Sequence, residues 1–113
     1  MRDLENRIAI VTGGASGIGR SIALKLATQG AKISIGDLQG LPREGGKKTE
    51  EIIKEIGGEA IFTKVDISKD SQVEKLIEKT VRSFEGIDIL VNNAAADQST
   101  GTIEEMSIEE WER

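Results

Sequence analysis

The chain contains no cysteine and no histidine. Without cysteine it forms no disulfide and offers neither a thiol nucleophile nor a thiolate for zinc. Without histidine it loses the commonest general base near neutral pH and the commonest metal ligand. No metal site is therefore expected. No apolar run approaches the roughly 20 residues that cross a bilayer. The opening Met1-Arg2-Asp3-Leu4-Glu5 is charged and lacks the apolar stretch of a secretion signal, so the cytoplasm is the expected compartment and a membrane is not an expected partner. Positive charge is also scarce, with 15 Lys and Arg against 20 Asp and Glu and a net charge of -5. That balance provides no basic surface for a phosphate backbone, which argues against nucleic acid.

What remains is the composition of a globular domain, 37% hydrophobic and 31% charged over 113 residues, enough for one domain with a modest core. Strand and helix signals alternate along it. Residues 7–11 contain the apolar run Ile8-Ala9-Ile10-Val11 of a buried parallel strand, and a helix over 18–29 places Ile18, Ile22, Ala23, Leu26 and Ala27 on one face. Gly30 stands where a left-handed cap ends that helix, and 32–35 reads as a second strand. Beyond a loose connection holding Gly40, Pro42, Gly45 and Gly46, a helix is expected over 47–56, closed by Gly57-Gly58. A third strand over 60–65 precedes a helix marked by Val73, Leu76, Ile77, Val81 and Phe84, with Ser68 or Asp70 as its cap. After Gly86 come a fourth strand over 87–91, a loop over 95–101 and a helix opened by Ser107 that contains Ile108 and Trp111. Parallel strands joined by right-handed crossovers make an α/β, doubly wound sheet of the Rossmann type. Its order is 3-2-1-4 in the common nucleotide-binding arrangement, with ligands at the carboxyl ends of strands 1 and 4.

The most informative segment lies between the first strand and the first helix, where residues 12–19 read Thr-Gly-Gly-Ala-Ser-Gly-Ile-Gly. A helix N-terminus presents unpaired amides and the positive end of the helix dipole, so a diphosphate can rest against main chain there, and glycines allow the close approach. From Gly13 the spacing is G-x-x-x-G-x-G, which differs from the G-x-G-x-x-G of the usual dinucleotide fingerprint. Asp37 follows Lys32-Ile33-Ser34-Ile35-Gly36 at the tip of strand 2, where a carboxylate accepts hydrogen bonds from ribose hydroxyls and repels a 2′-phosphate. That points to NAD. The alternative for Asp37 is a solvated aspartate capping a turn.

Together with Asp37, Asp66 and the run Asn92-Asn93-Ala94-Ala95, the glycine turn resembles the N-terminal half of the short-chain dehydrogenase/reductase family, over essentially the whole chain. The resemblance implies a cofactor set of Gly13, Ser16, Gly17, Ile18, Gly19, Asp37, Asp66, Ile67, Asn92 and Ala94. In it Asp66 meets the adenine amino group, the amide after it meets ring nitrogen, and Asn92 with the small residues beyond it lines the ribose. The second asparagine, Asn93, is implied to tie strands together. Asp66 could equally be an ordinary turn residue. Ala95 departs from the family's Asn-Asn-Ala-Gly, adding a methyl and disfavouring positive φ. Thr12 is read as a structural link toward the strand 4 loop, and Arg20 as solvated more readily than as a phosphate ligand. Ser16 and Leu38, where NADP-dependent relatives often carry a basic group, are uncharged.

The family runs hydride transfer with a serine, a tyrosine and a lysine in Tyr-x-x-x-Lys, and this chain has no tyrosine. No catalytic residue is assigned. Glu104, Glu105, Glu109 and Glu110 read as a solvated helix face rather than a substitute. Residues 1–113 are accordingly expected to be a single cofactor-binding domain cut before the catalytic segment. It would leave the edge of strand 4 open to self-association or to a companion chain. Two functional readings follow. One is the NAD(H)-binding half of an oxidoreductase acting on an alcohol or ketone, inactive alone; the other is a stand-alone nucleotide-binding or interaction module.

Overall fold

A computed structural model describes residues 3–93 and the short strand at 104–105. In chain order the elements are β1 (Ile8–Thr12), α1 (Gly17–Thr28), β2 (Lys32–Asp37), α2 (Thr49–Glu55), β3 (Ala60–Lys64), α3 (Asp70–Phe84), β4 (Ile89–Asn92) and β5 (Glu104–Glu105). They build one sheet in the order β3-β2-β1-β4-β5. β1 to β4 are mutually parallel, which gives the expected 3-2-1-4 core of a doubly wound α/β fold.

β1 occupies the centre because all five of its residues are apolar or small enough to be covered on both faces, and all five are buried. Alternation along the strand sorts them. Ala9 and Val11 face a core shared with Ala23 and Ala27 of α1, Ile33 and Ile35 of β2, Ile53 of α2 and Val91 of β4. Ile10 faces the other way, into a smaller cluster with Val65 and Leu76 that Ile67, Ile87 and Leu90 close. On this second face Ser34 and Thr80 share a buried hydrogen bond of 2.6 Å, and Thr80 Oγ1 also donates to Leu76 O, so neither hydroxyl is left without a partner.

The C-terminus of α1 shows how local chemistry sets the path. Gly30 has φ of 101°, its amide donates to Ala27 O, and the amide of Ala31 donates to Leu26 O. That pair of bonds is the Schellman arrangement, and it turns the chain directly into β2. A Cβ at position 30 would also lie 2.9 Å from Glu5 Cα, so conformation and space both require glycine. Gly57 and Gly58 end α2 with the same pair of bonds, to Lys54 O and Ile53 O. α3 ends instead on Glu85 in the left-handed region.

Two local expectations are corrected. Neither Ser68 nor Asp70 caps α3: the N-cap is Lys69, Asp70 is the first helical residue, and the Ser68 hydroxyl donates to Asp66 Oδ1. The serine follows an aspartate by two residues, and that local turn competes for its hydroxyl. The edge of β4 is not wholly open, and Glu104 and Glu105 are not helical, because β5 pairs antiparallel with Val91 and Asn92. Unpaired main-chain groups at a strand edge recruit extended chain, and that outweighs the weak strand preference of glutamate. Glu109 and Glu110, the 95–101 loop and the helix from Ser107 lie outside the described residues.

Registration makes one end of the sheet level. Thr12 pairs with Gly36 on one side and Asn92 on the other, so the carboxyl ends of β1, β2 and β4 fall on one line. At the far end Asp88 holds β1 in that register through Ile8 N to Asp88 Oδ2 at 2.9 Å and Asp88 N to Ile8 O at 2.8 Å.

Replacing Gly30 by alanine should cost about 1–2 kcal/mol from the left-handed backbone alone. Thermal unfolding should show a fall in Tm of roughly 4–16 °C, and an unchanged Tm would contradict the turn assignment.

Candidate functional site

The glycine turn, the tip of β2 and the end of β4 meet along the level edge. As β1 ends, Gly13 takes φ of 70° and its amide donates to Gly36 O at 2.7 Å, joining the turn to β2. The chain then doubles back so tightly that a Cβ at Gly19 would lie 2.1 Å from Gly13 O and 2.6 Å from Asn93 Nδ2. No residue with a side chain fits there without displacing main chain. This closure sets the start of α1 at the end of β1, where helix geometry leaves the first amides without intrahelical partners.

Asp37 closes β2 beside that turn. Its Oδ2 accepts from Ala15 N at 3.0 Å and its Oδ1 accepts from Gln39 N at 3.3 Å. One carboxylate thus spans the glycine turn and the residues after β2, fixing the distance between them. Across β1, Thr12 does the same for β4. Its hydroxyl donates toward Val91 O at 3.3 Å and Asn92 Oδ1 at 3.2 Å, and accepts from Asn93 N at 2.9 Å. The expected structural role of Thr12 is thereby located. Asn92 shares in that link through its side chain, and Asn93 presents its amide group to the helix start at Gly19.

The other sequence-predicted residues divide. Ser16 is 3% exposed, and its hydroxyl accepts from Arg43 N at 2.7 Å, which leaves its main chain as the part facing the turn. Gly17, at φ of 56°, donates its amide to Glu44 Oε2 at 3.1 Å. Ile18 is 55% exposed, its side chain on the outer side of α1 with Ser21, Ile22 and Lys25. Asp66 lies two residues past the end of β3, where its Oδ1 accepts from both the hydroxyl and the amide of Ser68. These bonds, the hydroxyl's first, hold its carboxyl below the usual carboxylate range. Ile67 packs into the smaller core and, with Thr12, Leu76, Leu90 and Asn92, lines a cavity of about 170 Å³. Ala94 lies outside the described residues.

The residues that sequence reasoning missed come from the connection between β2 and α2. Glu44 supplies a carboxylate to the N-terminus of α1, and hydrogen bonds from its own amide and from Gly17 N lower its pKa from the ordinary 4.5. Arg20, read from sequence as solvated, is largely covered. Its Nη1 donates to Lys47 O at 2.8 Å, and its Nε stands 3.9 Å from Glu44 Oε2. Thr49 donates to Gly14 O at 2.8 Å. No short-range pattern signals these contacts, which join residues 27 and 35 positions apart. Among the described residues no group of three or more His, Cys, Asp and Glu is arranged to hold a metal, and no helix is long and apolar enough to cross a membrane.

The resulting arrangement is a glycine turn opening a helix, an acidic tip on the neighbouring strand and an asparagine pair on the other side. A family model described as short chain dehydrogenase matches residues 7–113. An uncharacterized oxidoreductase of Thermotoga maritima is 41% identical over 110 residues, covering 97% of this chain and 41% of the relative. Glucose 1-dehydrogenase 2 of Bacillus subtilis is 33% identical, covering 99% of this chain and 43% of that enzyme. The chain thus spans about two fifths of the length of these curated relatives. Among solved structures, a short chain dehydrogenase from Mycobacterium avium superimposes with a TM-score of 0.75 at 35% identity, over 84% of this chain and 35% of that one. A hydroxysteroid dehydrogenase from Escherichia coli does so at 0.74 and 31%, over 82% of this chain and 38% of its own. On the family model that matches residues 7–113, the chain belongs to the short-chain dehydrogenase family.

Proposed function

We propose that this chain forms the dinucleotide-binding half of an oxidoreductase that moves a hydride between NAD and an alcohol or ketone. The observation that carries the reading is Asp37 anchored to Ala15 N, which sets a carboxylate against the glycine turn at the tip of β2. The main chain of Gly13, Ser16, Gly17, Ile18 and Gly19 would take the diphosphate, which would displace the Glu44 carboxylate from Gly17 N. Asp37 would accept from the adenosine ribose, Asp66 and Ile67 would flank adenine, and Asn92 and Ala94 would border the second ribose. The cofactor supplies the hydride chemistry, and these residues bind and orient it.

The choice of NAD over NADP follows from charge. A 2′-phosphate beside Asp37 would set two negative groups in contact, a repulsion that requires the carboxylate to move or to be neutralised. Arg43 is the feature that favours NADP, since its Nη2 comes within 3.7 Å of where a Gly17 Cβ would stand. One relative, 32% identical, is named an NADPH-dependent aldehyde reductase of Arabidopsis thaliana. The carboxylate outweighs the arginine here because Asp37 is fixed by two hydrogen bonds at the strand tip, whereas the guanidinium lies toward the helix side.

These 113 residues include no tyrosine, so the family's tyrosine acid is not among them, and the chain by itself is proposed to bind cofactor without turning over substrate. The chemistry would then depend on residues outside this sequence. A stand-alone nucleotide-binding module would show the same binding and differ only in having no such catalytic counterpart. The charged opening of the sequence supports the cytoplasm as its compartment.

Calorimetric titration of the purified chain should give saturable NADH binding at least tenfold tighter than NADPH. Equal affinities would remove the NAD assignment. Asp37→Arg should reverse the preference by deleting the ribose acceptor and adding a phosphate partner; a ratio unmoved by the substitution would show that Asp37 does not face the ribose.

A further inference from the structure

Thr49 is the first residue of α2 and is fully buried, with an exposure of 0%. The residue that caps α2 is Lys48, so the Thr49 hydroxyl is not needed to close its own helix. The start of α2 is closed by Glu51, whose Oε1 accepts from Lys48 N at 3.1 Å. The Thr49 hydroxyl instead crosses to the glycine turn, donating to Gly14 O at 2.8 Å and lying 3.4 Å from Ala15 O.

The partner it meets has little other freedom. Gly14 packs against β2 so closely that a Cβ there would sit 3.1 Å from Ile35 Cγ2 and 3.2 Å from Val11 O. One residue on, the Ala15 amide is held by Asp37 at 3.0 Å. The peptide between residues 14 and 15 therefore has its carbonyl pulled toward α2 and its N–H pulled toward β2. A peptide group carries a dipole along its C=O bond. With the oxygen drawn back into the protein, this peptide sets no carbonyl at the mouth of the turn.

Resting on the cofactor reading above, we propose that Thr49 is a positioning residue for the cofactor's diphosphate. It touches no ligand. By holding the Gly14 carbonyl inward it keeps a lone pair away from the anion. A buried carbonyl deprived of its donor seeks a new partner, and rotation of the peptide between residues 14 and 15 is the short route. That rotation would set a partial negative charge at the site and break the Ala15 N to Asp37 bond, which links diphosphate affinity to the tip of β2.

The test compares the unmodified chain with Thr49→Val, which keeps shape and loses the donor, and Thr49→Ser, which keeps the donor and loses the methyl. Each is titrated with NADH and, through amide shifts, with adenosine, which carries no phosphate. Thr49→Val should weaken NADH about tenfold, leave adenosine within about twofold, and be restored by Thr49→Ser. Equal weakening of both ligands would reduce Thr49 to a packing role, and NADH affinity unchanged in Thr49→Val would overturn the proposal outright. Absence of NADH binding by the unmodified chain would instead defeat the cofactor reading itself. Should Thr49→Val fail to fold, the hydroxyl proton of Thr49 in the unmodified chain decides. Its exchange with water should slow when NADH binds, and unchanged exchange in the complex contradicts the proposal.

Discussion

Where α1 begins, the chain runs so close to the turn it has just left that position 19 has no room for a side chain, a Cβ falling 2.1 Å from Gly13 O. Much else in the molecule follows from this closure. It brings the helix N-terminus to the end of the central strand and brings Asn93 of the β4 end against the helix. The helix then packs flat on the sheet because the residues it turns inward, Ala23 and Ala27, are small. A bulkier pair would hold the axis away and open the turn.

The sheet supplies the second constraint. Parallel registration with Thr12 between Gly36 and Asn92 sets three strand ends level, and polar side chains then lock them to one another. Asp37 reaches the glycine turn from β2, and Thr12 reaches the β4 end from β1. The connection from β2 to α2 completes the enclosure from behind, through Arg43 to Ser16, Glu44 to Gly17 and Thr49 to Gly14. The main chain of the turn is held from three sides, and such rigidity suits a site whose ligand contacts would be mostly backbone amides.

Much of this was legible in the sequence because it is encoded locally. Strand 1 was expected over 7–11 and forms Ile8–Thr12, the first helix was expected over 18–29 and forms Gly17–Thr28, and Gly30 and Gly57 stop their helices by the left-handed turn that glycine favours. Asp37 could be placed at a strand tip because Ile33 and Ile35 before it mark a short strand. Less legible was what depends on distant partners. Asp66 and Ser68 are near neighbours whose pairing removes the helix cap, a competition between two local options that periodicity does not resolve. Thr49, Glu44 and Arg43 lie in or beside a polar, glycine-bearing connection, and only the folded chain shows that they grip the turn. The pairing of Glu104–Glu105 with β4 likewise depends on an edge that exists only after folding.

The central claim is that the level edge formed by the glycine turn, Asp37 and Asn92 is a dinucleotide site. The most direct measurement is an assigned amide spectrum of the chain, recorded as NADH is added. The account predicts saturable shifts concentrated at residues 13–19, at Asp37 and at Asn92 and Asn93, with the far edge of β3 and the outer face of α3 unmoved. Shifts confined to those remote surfaces, or none at all in a folded chain, would contradict it.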